Sequence, residues 1–481
     1  MRKKIYVLRT ITCLVLVSTL LLYVQSCKTQ HNKANTPTLK KNVLFIMVDD
    51  LRPELGAYGA NHIISPHIDK LAKNGVAFNR AYCNVPVCGA SRSSLMSGLR
   101  PTKNRFLTFD ARIKEDAPNV LTLVDHLNSL GYTTVSNGKI THHKNDITGK
   151  WDEEWEPIAS NWRDYQSDEN LALLKAGKHG QAFESPNIDD GSYFDGKIAA
   201  KSIDDLKKLK TSGQPFFLAV GFLKPHLPFN APKQYWDLYN ENTITLPENY
   251  QFPESAPQIA NHNWGELRYY HNIPKDGPVT DAMAKKLIHA YYASVSFIDA
   301  QIGKVIQALD DLGLRDSTSI ILVGDHGWSL AEHGLWAKHS NFNVALRIPL
   351  IISDASLPKG KKTESIAEMV DLYPTVCDLV NVLTPQHTDG TSLVKAAKQP
   401  KKILKNQALA RWQKGETLIA NHYFYTEWIR DDKTFAKMLY DHKSDPNETR
   451  NLAAEDAFKP LVDSLSAILH NRIATYKTLK H

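Results

Sequence analysis

Three apolar runs in this chain stop at residues that can do chemistry. Asn42 to Val48 ends at Asp49-Asp50, Pro215 to Gly221 leads to Lys224-Pro225-His226, and Ser319 to Val323 ends at Gly324-Asp325-His326. Carboxylates at such ends are hard oxygen ligands of the kind Ca2+ and Mg2+ take. Imidazoles can transfer protons near neutrality or bind metals. Cys88 stands four residues before Arg92, Lys139 follows Gly138, His142 follows Lys139 by three, and Lys338 comes soon after the third run. A nucleophile, proton carriers and cations for an anionic group are therefore all present. Each residue alone has a duller reading: an Asp pair can cap a turn, a Cys can fill a core, and most Lys are solvated. The repetition at strand ends sets these apart.

The elements that must hold them can be read from the pattern. The three runs are continuous rather than alternating, as in strands buried on both faces. Tyr132 to Ser136 reads as a shorter strand leading to Lys139, and Leu346 to Ile352 as a further one. Ser65-Pro66 opens a helix through Lys73 that Gly75 can close, and Val120 to Leu130 is a second helix. From Leu287, apolar residues recur at helical spacing to 309. Strands alternating with helices predict an α/β sandwich around a mostly parallel mixed sheet. Ligands gather beyond the carboxyl ends of such strands, where Asp49, Asp50, His226, Asp325 and His326 fall. After residue 400 the texture changes to short strands (408–412, 423–428, 435–440) and a helix over 457–476. We expect a smaller antiparallel sheet with a covering helix, giving a catalytic domain over 41–400 and a C-terminal subdomain over 401–481.

The N-terminus reads as an export signal. Arg2, Lys3, Lys4 and Arg9 precede an apolar run from Ile11 to Val24, too short to span a membrane as a helix. Ser26-Cys27 then resembles a bacterial lipobox, so residues 1–26 are the expected signal peptide, Cys27 the lipidated residue and 27–40 a polar tether; Gln25, not the usual small residue, keeps simple cleavage or an uncleaved anchor open. Four of the seven net positive charges lie in those first 26 residues, which hold no acid, so the remainder carries +3. That balance calls for no nucleic-acid partner. With 42% hydrophobic and 23% charged residues among 481, the chain is neither disordered nor a disulfide-dense miniprotein. Beyond the leader and Cys27 three cysteines remain, Cys83, Cys88 and Cys377, and an odd set leaves a free thiol even if Cys83 and Cys88 pair.

Cys88-Gly-Ala-Ser-Arg92, followed by Ser93 to Pro101, resembles the signature of the type I sulfatases, in which the Cys of Cys-x-Pro-x-Arg becomes formylglycine (3-oxoalanine). The resemblance runs on through Asp49 to Gly59, Gly138-Lys-Ile-Thr-His142, Lys224 to Phe229, Gly324 to Gly334, Trp336-Ala-Lys338 and Leu439 to Glu448, in family order. Asp325-His326 and the Lys338 block are most similar to the iduronate-2-sulfatase branch. Ala90 stands where Pro is commonest in the family.

The resemblance implies an alkaline-phosphatase-like sandwich and a sulfate-ester hydrolase acting on carbohydrate. The substrate would be a sulfated oligosaccharide or polysaccharide containing uronate, such as a glycosaminoglycan or the algal polymer ulvan. It implies one Ca2+ per chain held by Asp49, Asp50, Asp325, His326 and the modified Cys88. It implies that Arg92 steadies the formylglycine hydrate, Lys139 and Lys338 grip sulfate oxygens, His142 is the base for the elimination that regenerates the aldehyde, and His226 protonates the leaving oxygen. A formylglycine-generating maturation enzyme would be a partner. The setting would be the bacterial periplasm or cell surface, with membrane contact only through the lipid. Glu332-His333 reads as structural. For Trp151, Trp155 and Trp162, stacking on sugar and packing of their own loop both stay open. The rival readings are a phosphodiesterase or phosphonate hydrolase of the same superfamily, and a non-catalytic protein that binds sulfated glycans.

Overall fold

The structure is a computed structural model that describes residues 40–144, 146, 147, 150–157 and 162–478. The expected signal peptide, Cys27 and all but the end of the tether lie outside the described residues. From Lys41 onward the chain is one compact unit.

Its centre is an eight-stranded sheet. The strands are β1 (Asn42–Val48), β2 (Val76–Phe78), β3 (Thr133–Gly138), β4 (Glu153–Trp155), β5 (Phe216–Phe222), β6 (Thr318–Gly324), β7 (Leu350–Ser353) and β8 (Lys361–Thr363), in the order β8-β2-β7-β6-β1-β5-β3-β4. β1 is parallel to both β5 and β6, and β3 is parallel to β5 and β4. β7 runs antiparallel to β6 and β2, so the sheet is mixed but mostly parallel. The central strand shows why its sequence is apolar throughout. Val43, Phe45 and Met47 enter one core, Leu44, Ile46 and Val48 the other, and none has exposed surface.

Helices cover both faces. α1 (Pro66–Lys73), α2 (Cys88–Ser97) and α3 (Leu123–Ser129) come first, then α4 (Phe194–Ser212) and α5 (Asp281–Asp311). α4 and α5 pack against each other and bury Ile198, Leu206, Leu287, Ile298 and Ile302 in one core, while α2 and α3 contribute Leu95, Met96, Val124 and Leu127 to the other. Thr280 caps the 31-residue α5 by accepting the N–H of Met283.

Three local expectations are corrected. The helix expected over Val120 to Leu130 is shorter because Thr122 caps it, accepting the N–H of Asp125. The strand expected over Leu346 to Ile352 is cut at Pro349, so Arg347–Ile348 pairs with Ala81–Tyr82 while β7 joins the main sheet. α1 is capped by Asn74 rather than closed by Gly75; a Cβ on Gly75 would lie 2.5 Å from the carbonyl oxygen of Ile352, so that glycine serves close packing.

The C-terminal part is a meander, β9 (Gln407–Trp412), β10 (Gly415–Ala420), β11 (Tyr423–Arg430) and β12 (Lys433–Asp441), followed by α6 (Lys459–Thr478). β10 was not foreseen. One sheet face, with Ala408, Ile419, Phe424 and Trp428, joins a main core; the other, with Leu418, Tyr425 and Leu439, is covered by Val462, Leu465 and Leu469 of α6.

Candidate active site

The carboxyl ends of β1, β3, β5 and β6 lie side by side, which gathers the residues that follow them. Asp49 donates its N–H to the Phe222 carbonyl, Lys139 to that of Gly221 and Asp325 to that of Val48, so the sheet ladder runs one residue into each active segment. The approach of β3 and β5 needs glycines. A Cβ on Gly221 would sit 2.0 Å from the Lys139 carbonyl oxygen.

Cys88 is the first residue of α2, whose ten residues are all buried. Its Sγ lies 3.2 Å from His326 Nε2. The His326 Nδ1–H donates to the Gly327 carbonyl at 3.0 Å, because a carbonyl only accepts, which leaves Nε2 facing Cys88 and Asp50. Burial and the Asp49 carboxylate push the Cys88 thiol up, against the opposing pull of Lys338 and Lys139. An unaltered thiol here is a poor source of thiolate.

Asp49, Asp50, Cys88 and His326 each present a ligand atom within 4.8 Å of the others. The chemistry of this set fits a divalent cation. Asp49 Oδ1 is buried without a hydrogen-bond partner. Asp50, in the left-handed region at φ 58°, is wholly buried, and burial together with Asp49 lifts its carboxyl to about 8 against the pull of Lys338. A cation would relieve both. Burial alone would raise Asp49 too, but Lys139 and Arg92 hold it well below the usual carboxylate range.

Asp325 stands at the edge of this set. It is outside the four-residue cluster, although its Oδ1 comes within 3.6 Å of His326 Nε2. That oxygen accepts the N–H groups of Asp50 (3.1 Å) and His326 (3.0 Å), and Oδ2 accepts Arg92 Nε at 2.9 Å. Arg92 is also buried, bonds the carbonyls of Lys139 and Ile140, and lies 3.5 Å from Asp49. Arg92 and Asp325 thus tie the strand ends to α2.

The two lysines lie over the acids. Lys139 Nζ bonds Asp49, while Lys338 Nζ sits 3.0 Å from Asp50 Oδ1 and 5.0 Å above the Trp328 ring. His226 Nδ1–H donates to the Leu227 carbonyl at 2.6 Å, which leaves Nε2 facing the site, 4.0 Å from Asp50. Burial, then Lys139, lowers His142 to about 2, so its ring is neutral, and its Nδ1 is buried without a partner. His143 turns to Asp110 instead. Cys83 is free, as is Cys88.

The loop aromatics divide. Trp151 is buried and stacks on Phe217, and Trp155 packs on a core; Trp162 is 43% exposed, its ring 5.2 Å from His226. Glu332 pairs with Arg52, and His333 lies 3.6 Å from Glu448. The sequence reading missed Glu266, whose Oε1 lies 2.9 Å from Lys338 Nζ and 3.2 Å from His226 Nε2. It stands in a polar loop segment without periodicity, so no pattern marked it.

Comparisons with known proteins place the chain in a family. The family described as "Sulfatase" matches residues 41–382, and "N-sulphoglucosamine sulphohydrolase, C-terminal" matches residues 331–475. The chain belongs to the sulfatase family, which makes it a sulfuric ester hydrolase. Within that family it resembles iduronate 2-sulfatase: the human enzyme is 33% identical over 417 residues, covering 78% of this chain and 76% of the relative. The solved structure of BT4656 with its substrate D-glucosamine-2-N,6-O-disulfate is similar at TM-score 0.74 and 20% identity, covering 91% of this chain and 98% of that one. The phosphonate monoester hydrolase of Agrobacterium radiobacter is similar at TM-score 0.75 and 20% identity, covering 91% and 96%. At these identities the two structures establish the fold, an alkaline-phosphatase-like sandwich.

Proposed function

We propose that this chain is an exported, lipid-anchored sulfatase that removes sulfate esters from a carbohydrate, in the breakdown of a uronate-containing sulfated polysaccharide. The observation that carries the reading is the convergence of Cys88, Asp49, Asp50 and His326 beneath the ammonium groups of Lys139 and Lys338. The relatives' names point toward glycosaminoglycans, and ulvan remains the other candidate.

Asp49, Asp50 and His326 would hold a divalent cation, Ca2+ in the first instance, with Asp325 ordering them from its edge. Bound there, the cation supplies positive charge for a sulfate oxygen and acidifies a hydroxyl on residue 88. Converted to formylglycine hydrate, residue 88 offers two hydroxyls on one carbon, one to attack sulfur and one to expel sulfate afterwards. The rest falls to the chain. Lys139 and Lys338 neutralise the sulfate oxygens in a site with little water to screen them. Arg92 keeps the first turn of α2 against Asp325 and Asp49. His226, with Nδ1 tied to Leu227, aims Nε2 at the leaving oxygen and gives it a proton. His142, neutral and unpartnered at Nδ1, takes a proton in the elimination. The raised Cys88 thiol argues against a thiol nucleophile.

Co-expression with a maturation enzyme, followed by assay against defined sulfated oligosaccharides, tests the reading. Sulfate should be released, Cys88→Ala should abolish release, and chelation should remove activity that Ca2+ restores. Peptide mass spectrometry should find residue 88 as the aldehyde. An active enzyme with only an unaltered thiol would refute the nucleophile. Turnover of phosphonate esters but not of sulfates would favour the phosphonate hydrolase reading.

A further inference from the structure

Glu266 is a carboxylate at the site that the mechanism above leaves unused. Among the described residues its side chain bonds only Lys338 and His226, and it does so with a single oxygen, Oε1, at 2.9 and 3.2 Å. Its other oxygen is buried without a partner. Electrostatics makes this placement costly, since a carboxylate this close to the lysine that grips a sulfate repels the anion.

The surrounding loop is built to hold it there. Glu266 lies on the short helix Gly265–Arg268, entered through Trp264 in the left-handed region at φ 54°. Arg268 stacks 4.2 Å over the Trp264 ring, and its guanidinium donates to the carbonyls of Asn263, Pro274 and Gly277, on both sides of the turn. Leu267 is buried in a core. Glu266, Asp50 and His226 could also be read as ligands of a second metal. However, the Lys338 ammonium already lies 3.0 Å from Asp50 and 2.9 Å from Glu266 and supplies the positive charge there.

We propose that Glu266 is a positioning residue: Oε1 holds the sulfate-gripping ammonium of Lys338 and the Nε2 face of His226 in one register, so that both meet the same ester. The inference rests on the roles given to Lys338 and His226 above. As the bond between sulfur and the sugar oxygen breaks, its electron pair stays on that oxygen. The proton on His226 Nε2 passes to it, so an N–H bond is lost and an O–H bond is gained. Glu266 remains an ionised carboxylate throughout and fixes only where the donor stands. Without it, His226 keeps its tie to Leu227 but loses the contact that directs Nε2.

The test separates positioning from general disruption by the leaving group. A sugar alkoxide needs the proton, whereas 4-nitrophenolate leaves well without one. Glu266→Gln, close in shape, and Glu266→Ala would be compared with wild type, as matured full chain, on a monosaccharide sulfate and on 4-nitrophenyl sulfate. For Glu266→Ala, kcat/KM should fall by about 100-fold on the sugar ester and by less than about 10-fold on the aryl ester, with Glu266→Gln between it and wild type. An equal fall on both esters, or no fall on the sugar, would overturn the proposal. Wild-type enzyme that releases sulfate from neither would overturn the sulfatase reading itself.

Discussion

Replacing Glu368 with Gln should destabilise the protein by about 3 kcal/mol while leaving its site intact. Glu368 is buried beside Ala367 on a two-residue strand against Ala81–Tyr82. The two terminal guanidinium nitrogens of Arg100, three residues beyond α2, bond its two oxygens. It also accepts the Leu409 N–H of β9 at 2.8 Å and the Asn84 amide at 3.1 Å, and pairs with Lys405 at 2.6 Å. One carboxylate therefore ties the Cys88 helix to the C-terminal meander. Breaking a buried ion pair from one side costs about 3–5 kcal/mol. Lys405 keeps Asp371 at 2.6 Å, and Gln keeps an oxygen for Leu409, so the lower end applies. Glu368→Ala also strands the Leu409 and Asn84 donors, which brings the cost to about 5 kcal/mol. Burial alone would raise the Glu368 carboxyl, but Arg100 and then Lys405 hold it well below its ordinary 4.5. A depressed carboxyl stabilises fully above that ordinary value and loses its contribution as pH falls below it. Urea titration followed by tryptophan fluorescence should show the wild-type advantage steady above pH 4.5 and shrinking in acid. A difference under about 1 kcal/mol at pH 7, or one that widens in acid, would refute this account.

Two further outcomes follow from the same kind of reasoning. Glu427 is pulled down to about 2, because hydrogen bonds from Ser466, Thr434, Tyr425 and His470 outweigh its burial. Glu427→Gln should therefore cost about 2 kcal/mol at neutral pH, a deficit that fades as pH drops from 4.5 toward 2 in thermal melts. A Cβ on Gly89 would lie 1.9 Å from the Phe109 carbonyl oxygen, so Gly89→Ala should cost about 3 kcal/mol by lifting α2 from its seat; unchanged melting would show that the helix has room to move.

Much of the site was legible because the buried strands wrote themselves as unbroken apolar runs. Each run had to stop where the sheet ended, and the residues at those stops were Asp49-Asp50, Lys224 to His226 and Asp325-His326. Cys88 and Arg92 were legible as a motif, and their spacing became one turn of α2. The fold blurred where tertiary contacts overrode local pattern. Pro349 cut one apolar run into two strands that serve different sheets. β10 was hidden because Gly415 to Ala420 alternates only weakly. Glu266 was illegible for a deeper reason: its meaning lies in Lys338 and His226, far from it in sequence, and nothing local encodes that meeting. Asp325 showed the converse, a residue that a motif marked and whose bonds run mainly to backbone N–H groups and Arg92.

The order of the central strands also has a consequence in time. β1 lies between β5 and β6, strands that a ribosome delivers well over a hundred residues later. Until β6 is made, Asp325 and His326, which bond Arg92 and lie against Cys88, are missing from the surroundings of α2. Once the sheet closes, Cys88 keeps 2% of its surface. A second protein reaching for this side chain would therefore meet more of it before the sheet closes than after.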